Sequence, residues 1–204
     1  EKYQAEQAQA EIGHHTPTAG PMIGHIISNL KIQENKLWQS RYYAKGPDAF
    51  LSTSEFSKIL TEASAFLDQL NQLMLDEGEV IPTTTEEFSR YSMLEESGQR
   101  KYEETSTLIF DTVKDFNTQL LFVTRGIALA EKEEKPGLAQ LLQTLYAWLK
   151  HQSAVLQRYL GHELLEDLEE DDEDWPPDPD EAESSQWVNK QEGCEDCASN
   201  VIIA

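Results

Sequence analysis

Apolar residues recur every three or four positions in four stretches of the chain, and this spacing places them on one face of an α-helix. The stretches cover residues 22–45, 56–78, 98–132 and 138–160. The second is the most regular, and its stripe consists of Phe56, Ile59, Leu60, Ala63, Phe66, Leu67, Leu70, Leu73 and Met74. Long helices with one-sided apolar stripes are typical of a four-helix bundle. The pattern therefore predicts an all-α fold.

The joints between these helices indicate how they are connected. Gly46-Pro47 ends the first helix, and Pro136-Gly137 separates the third from the fourth. Because both joints are short, the first and second helices and the third and fourth are each predicted to form a hairpin. The residues expected to cap the start of the second helix are Ser52, Thr53 or Ser54.

The second and third helices are separated by about 20 residues, which is a long connection for a bundle. Within it, Thr84 and Glu87 have the spacing of a capping box, which predicts a short helix over residues 85–91. Two hairpins joined by a long crossover with its own helix have the connectivity of a ferritin-like four-helix bundle.

Charge distinguishes the C-terminal segment of the chain from this bundle. The chain carries 38 acidic and 16 basic residues, a net charge of −22, and 16 of the acidic residues with a single base lie after residue 160. We expect residues 164–204 to form a disordered acidic tail, because such a composition cannot offset the entropy lost on ordering. Residues 1–21 are expected to form an N-terminal extension, either a short helix or flexible, before a bundle that spans residues 22–163.

Charge and composition disfavour several classes of function. Affinity for nucleic acids comes mostly from Lys and Arg, so we expect no direct DNA binding, and anionic membranes should repel the chain. No apolar run is long enough to span a membrane, and no signal-peptide pattern is present, so we expect a cytoplasmic protein. With two cysteines in all, a disulfide-stapled scaffold is excluded.

Histidines provide few candidate metal ligands. A single Glu-x-x-His unit, Glu11 to His14, lies in the polar N-terminal segment, where a solvated pair is the favoured interpretation over a metal site. The neighbouring His14-His15 pair is interpreted in the same way. The remaining histidines, interpreted as helix-surface or hydrogen-bonded core residues, are His25, His151 and His162.

Cys194 and Cys197 have C-x-x-C spacing near the end of the chain. Zinc requires four ligands, and no second pair lies nearby in the sequence, so half of a zinc site shared between subunits is a weaker hypothesis than an inert tail. The acidic run over residues 169–174 is interpreted as a solvated charge run. The sequence contains no Gly-rich phosphate loop or nucleophile motif.

Several segments resemble the Dps family, the ferritin relatives that form small shells and protect bacteria during starvation and oxidative stress. The turn YYAKGPDAF at residues 42–50 is the first of these. FLDQL at 66–70 and PTTTEEF at 82–88 are further matches. Residues 14–20 and 24–30 resemble a lactic-acid-bacterial branch of the family.

The resemblance covers roughly residues 14–162, and it implies a homo-oligomeric, dodecameric shell that oxidises and stores iron. It also implies an oxidation site between two-fold-related subunits, built from two His, two Asp and one Glu. The corresponding positions here are Arg41, Thr53, Ser57, Asp68 and Gln72. Asp68 is thus the one expected metal ligand that is retained, and we expect weak iron binding at this site.

Two hypotheses from different classes follow. The first is an iron-sequestering, stress-protective shell whose oxidation site is largely lost, and which stores mineral on cavity carboxylates or co-assembles with an active paralogue. The second is a catalytically silent cage or scaffold whose acidic tail recruits a basic partner. A ferroxidase with substitute ligands and a DNA-compacting protein are weaker alternatives. Lys2 is the single base among the first twelve residues, whereas DNA-binding members of the family use Lys-rich termini.

Overall fold

The computed structural model describes residues 17–161. The predictions for residues 1–16 and for the tail from residue 162, including those for His162 and the two cysteines, lie outside this part of the chain. The described elements are α1 (Ala19–Tyr43), α2 (Ala49–Asp76), α3 (Thr85–Tyr91), a 3-10 turn (Gly98–Tyr102), α4 (Thr105–Lys132) and α5 (Pro136–Leu160). No helix within residues 17–161 is long and apolar enough to cross a membrane.

The four long helices pack as two hairpins. α1 packs against α2 and α4, while α5 packs against α4 and α2, so the predicted ferritin-like four-helix bundle is confirmed. Burial of large apolar side chains drives this packing. The largest fully buried ones include Phe56, Phe116, Ile23, Ile26, Leu30, Leu70 and Leu108.

The start of α2 differs from the prediction. The helix begins at Ala49, seven residues before Phe56, and the expected capping by Ser52, Thr53 or Ser54 is wrong because all three lie inside the helix. Gly46 makes the turn with a φ of 85°, a conformation that favours glycine, and α2 starts directly after it. Phe50 in the first turn is apolar but 86% exposed. It therefore lies outside the buried stripe that begins at Phe56, and the stripe did not reveal this turn of the helix.

The third predicted helix, over residues 98–132, is divided in the structure. A 3-10 turn occupies Gly98–Tyr102, and α4 begins at Thr105 after an extended Glu104 with a ψ of 153°. The Ser97 hydroxyl accepts a hydrogen bond from the Gln99 N–H at 3.1 Å and so caps the 3-10 turn. The break itself lies at Glu103 and Glu104, whose extended backbone, with ψ values of 161° and 153°, separates the 3-10 turn from α4.

The predicted crossover helix over residues 85–91 is confirmed, together with its capping box. Thr84 Oγ1 accepts the Glu87 N–H at 3.2 Å, and Glu87 Oε2 accepts the N–H groups of Thr83 and Thr84 at 2.7 and 2.8 Å. The two backbone N–H bonds lower the pKa of the Glu87 carboxyl. The crossover therefore has a defined local structure in addition to its packing on α1.

A charged clamp joins both hairpins at the start of α1. Thr18 makes no side-chain cap, and the Ala19 N–H instead donates to Glu133 Oε1 at 2.6 Å. Lys135 pairs with Glu133 at 3.0 Å and also with Glu79, which follows the end of α2. The Glu79 carboxylate lies against the first turn of α1, so a Cβ at position 20 would displace it from its present position.

The clamp predicts a pH dependence. Burial alone would raise the pKa of Glu133, but the Ala19 N–H and Lys135 outweigh it and hold the pKa below its ordinary 4.5. Ionised Glu133 therefore stabilises the fold at neutral pH, and this contribution is lost as the pH falls below 4.5. We expect Glu133→Gln to cost about 1 kcal/mol at pH 7 and less at pH 3, measured by thermal unfolding.

The matched control for this prediction is Glu134→Gln, at an exposed neighbouring position. It should change the unfolding temperature little at either pH. A Glu133→Gln deficit that is equal at pH 7 and pH 3 would contradict the role assigned to the charge.

Candidate functional site

Three of the five positions assigned to the metal site meet at the corner between α1 and α2. Arg41 lies in the last turn of α1, and Thr53 Oγ1 donates to its carbonyl oxygen at 3.3 Å. Ser57 Oγ donates to the Thr53 carbonyl at 2.8 Å. Both hydroxyls are thus bonded to backbone carbonyls, and the charged group of this trio is a guanidinium, which repels metal cations.

The other two positions lie far along the same helix. Asp68 follows Thr53 by fifteen residues within the unbroken α2, which is about 22 Å at 1.5 Å per residue. Asp68 is exposed, and Gln72 donates from Nε2 to Asp76 Oδ1 at 2.9 Å. A single chain therefore does not bring Asp68 and Gln72 to the Arg41 corner.

An aromatic surface flanks Arg41. Trp38 and Tyr42 are 56% and 60% exposed, and their rings meet edge-to-face at 5.0 Å. The Arg41 guanidinium lies 4.7 Å from the centre of the Tyr42 ring and donates to its hydroxyl at 2.7 Å. We name Trp38, Arg41 and Tyr42 the aromatic corner. Its rings follow the apolar spacing of α1, but they point away from the core.

Of the two histidines in the described part of the bundle, one lies in the core and the other lies on the surface. His25 is 9% exposed, and its Nδ1 is 2.7 Å from the Tyr91 carbonyl oxygen. His151 is exposed on the surface of α5. Both agree with the interpretation as core or surface histidines. Over residues 17–161, no group of three or more His, Cys, Asp or Glu side chains is arranged to hold a metal ion.

Sequence reasoning missed a buried row of polar side chains between α1 and α4, which we call the polar seam. Its members are Asn29, Gln33, Lys36 and Ser40 on α1, Asp111, Asp115 and Gln119 on α4, and Arg100 from the 3-10 turn. At its centre Lys36 Nζ lies 2.6 Å from Asp115 Oδ1. Burial raises the pKa of Asp115, although Lys36 opposes the shift. The sequence contained a signal for this row, because the four α1 residues recur with a spacing of four, three and four, which places them on one face of the helix.

A second missed cluster lies between α2 and α5. Glu62 Oε2 accepts the indole N–H of Trp148 at 2.7 Å and the Nε2–H of Gln152 at 3.0 Å. The Trp148 ring also packs on Phe66 and Phe116, with centroids 5.3 and 5.9 Å apart. Two donors and an aromatic surround hold this carboxylate in a structural role.

No family model matches the chain, but several Dps proteins are similar to it. The DpsB protein of Lactococcus lactis is 38% identical, and the match covers 79% of this chain and 93% of that chain with a TM-score of 0.70. The DpsA protein of the same organism is 34% identical, over 81% of this chain and 98% of that chain, also with a TM-score of 0.70.

A curated relative agrees with these structures. DNA protection during starvation protein 2 of Bacillus anthracis is 23% identical over 141 residues, which is 69% of this chain and 94% of that protein. The ferritin-like bundle, the crossover helix with its capping box and the two Lactococcus relatives support one conclusion. The chain belongs to the Dps family, and it is similar to lactic-acid-bacterial members of that family.

Proposed function

We propose that this chain is the subunit of a cytoplasmic, homo-oligomeric Dps shell that stores iron and protects the cell under stress, and that its inter-subunit oxidation site is largely lost. Family membership and the name of the Bacillus anthracis relative support the stress-protective part of the proposal. The observation that carries the loss of the site is the chemistry found at its five positions.

Of those five side chains, one is a carboxylate, Asp68, and none is a histidine. The Thr53 and Ser57 hydroxyls donate to backbone carbonyls, and the Gln72 amide donates to Asp76. A lone carboxylate competes poorly with water for Fe(II), which is held by several imidazole and carboxylate ligands in protein sites. We therefore expect the shell to store iron as a cargo and to oxidise it slowly.

The aromatic corner supports assembly. Trp38 and Tyr42 expose more than half of their surface, and adjacent large exposed rings are characteristic of protein–protein contacts. A two-fold contact uses the same patch on both copies. Following the family resemblance, we place the aromatic corner of one copy against α2 of its partner. We propose a dodecameric shell built on this contact, in which co-assembly with an active paralogue would use the same surface.

In such a contact, Arg41 of one copy faces Asp68 of the other and forms an ion pair where other family members bind metal. Within one chain, about 22 Å of helix separates Thr53, at the Arg41 corner, from Asp68, so the pair requires two copies. Arg41 is already held at the surface by Tyr42, which reduces the entropy lost on pairing.

A charge exchange tests this contact. We expect light scattering on the parent to give a mass several times 23.2 kDa. Arg41→Glu or Asp68→Lys alone should shift the population towards smaller species, because like charges then face each other. The double variant Arg41→Glu/Asp68→Lys should restore the parental mass.

Arg90→Glu, at an exposed position on α3, is the matched control and should assemble normally. A monomeric parent at micromolar concentration would contradict the shell. Failure of the double variant to recover what both single variants lose would contradict the Arg41–Asp68 pairing and leave the shell intact as a proposal.

The silent cage or scaffold is a second candidate, because the same substitutions at the five positions favour it. The two functions differ in iron loading. After incubation with Fe(II) and peroxide, a storage shell retains iron through size-exclusion chromatography, whereas a silent cage elutes without it. Storage on cavity carboxylates does not require a fast oxidation site, so this measurement is independent of the oxidation rate.

A further inference from the structure

The polar seam contains direct contacts along its length. Gln119 Nε2 donates to Gln33 Oε1 at 3.0 Å, and Lys36 pairs with Asp115 at 2.6 Å. Arg100 pairs with Asp111 at 2.9 Å and donates to Ser40 Oγ at 3.2 Å. At the far end, Asn29 Oδ1 accepts the N–H of Met93 at 2.7 Å. The seam thus follows α1 for eleven residues, or about 16 Å.

These contacts leave several polar atoms of the seam without a protein partner. Eight buried side-chain atoms within residues 17–161 have no hydrogen-bond partner among the described residues, and five of the eight lie on the seam. Three are donors and two are acceptors. The donors are Asn29 Nδ2, Gln33 Nε2 and Arg100 Nε, and the acceptors are Asp115 Oδ2 and Gln119 Oε1.

Five buried polar atoms without hydrogen bonds would greatly reduce the stability of a domain of this size. Each buried group left without a hydrogen bond costs a substantial part of the net stability of a protein, and five together are comparable with the whole of it. The remaining bonding capacity of the seam must therefore be met by a molecule that both donates and accepts.

The charges of the seam identify that molecule. Lys36 and Arg100 repel metal cations, while Asp111 and Asp115 repel anions, and the four charges sum to zero. A small, neutral donor and acceptor is required, and water has these properties. Buried waters usually make about three hydrogen bonds to otherwise unsatisfied groups, and a set that contains both donors and acceptors suits this bonding.

We propose that a file of ordered water molecules occupies the polar seam between α1 and α4 and bridges Arg100, Asp115, Gln119, Gln33 and Asn29. The file of water reaches bulk solvent at Asp111, whose side chain is 32% exposed. The side chain of Arg100, which pairs with Asp111, is 6% exposed. The water solvates the buried Lys36–Asp115 pair and links the crossover to both helices through Arg100 and Asn29.

A crystal structure of the full chain at about 1.5 Å resolution tests the file directly. We expect ordered water within hydrogen-bonding distance of Arg100 Nε, Asp115 Oδ2 and the Gln33–Gln119 pair. A dry seam, in which these atoms pair directly with one another, would overturn the proposal.

Water relaxation dispersion, which counts long-lived internal waters in solution, gives a second test. The double variant Gln33→Leu/Gln119→Leu replaces a donor and an acceptor with apolar groups of similar size, and it should lose at least one long-lived water per chain. Gln140→Leu/Gln143→Leu, at exposed positions on α5, is the matched control and should lose none. An unchanged count in the seam variant would overturn the proposal, and the parent crystal structure decides the question if that variant fails to fold.

Discussion

Replacing Arg41→His, Thr53→His and Gln72→Glu together is expected to raise the rate of Fe(II) oxidation with peroxide by about tenfold or more. Even residues that only support metal ligands change affinity by about 10–100-fold, so restoring three ligands should have at least this effect. The change also removes a cation whose repulsion of the doubly charged Fe(II) is about 2–8 kcal/mol at ~4 Å, depending on screening. The initial rate of Fe(III) formation measures the effect.

Single substitutions should do little, because a site that still lacks three of its five ligands does not hold the metal. The matched control is Arg90→His/Thr61→His/Gln69→Glu, which adds the same groups at exposed positions outside the site and should leave the rate at the parental level.

The assignment of Asp68 is tested with the same assay. If the parent already oxidises Fe(II) as fast as the triple variant, and Asp68→Ala does not slow it, then the site is wrongly assigned. Glu55 would then be the next position to examine, since it is partly exposed on α2, whereas His25 is buried and Glu62 is bonded to Trp148.

Removing the charge of Lys36 from the polar seam is expected to be strongly destabilising. Lys36→Met leaves the Asp115 carboxylate buried without its partner, and breaking a buried ion pair in this way costs about 3–5 kcal/mol. The double variant Lys36→Met/Asp115→Leu removes both charges and should lie within about 1–2 kcal/mol of the parent. Chemical denaturation monitored by helical circular dichroism measures both.

The pH dependence identifies the charge as the cause. Burial already raises the pKa of Asp115, and loss of Lys36 should raise it further. Because protonation removes the uncompensated charge, the Lys36→Met deficit should shrink as the pH falls through this pKa. The control is Lys58→Met, since Lys58 forms an exposed pair with Glu55 at 3.1 Å, and such pairs contribute less than about 1 kcal/mol. Equal losses in the two single variants would contradict the prediction.

Much of the fold could be predicted from local sequence patterns. The stripe on α2 places Phe56, Ile59 and Leu70 in the core, where they are at most 1% exposed. The pair Thr84 and Glu87 located the crossover helix because a capping box is a contact within one turn. The first turn of α2 was missed because Phe50 and Leu51 are apolar but face outwards.

The side-chain types at positions 41, 53, 57, 68 and 72, which the family resemblance assigns to the metal site, were also readable in the sequence. Their geometry was not. The separation of the Arg41 corner from Asp68 follows from α2 being one unbroken helix, so one chain does not bring these assigned positions together. The aromatic corner likewise became visible only when the exposures of Trp38 and Tyr42 were known.

The sequence by itself determined the four long helices, apart from the starts of α2 and α4, and their connectivity, because these depend on residue identity and on spacings within a few turns. Tertiary structure decided which polar residues pair: Lys36 with Asp115 across 79 positions, and the Ala19 N–H with Glu133 across 114. Periodicity assigns a residue to a helix face, but it does not specify which face of which helix lies opposite. Those pairings depend on the packing of the two hairpins, where burial makes each unpaired charge costly.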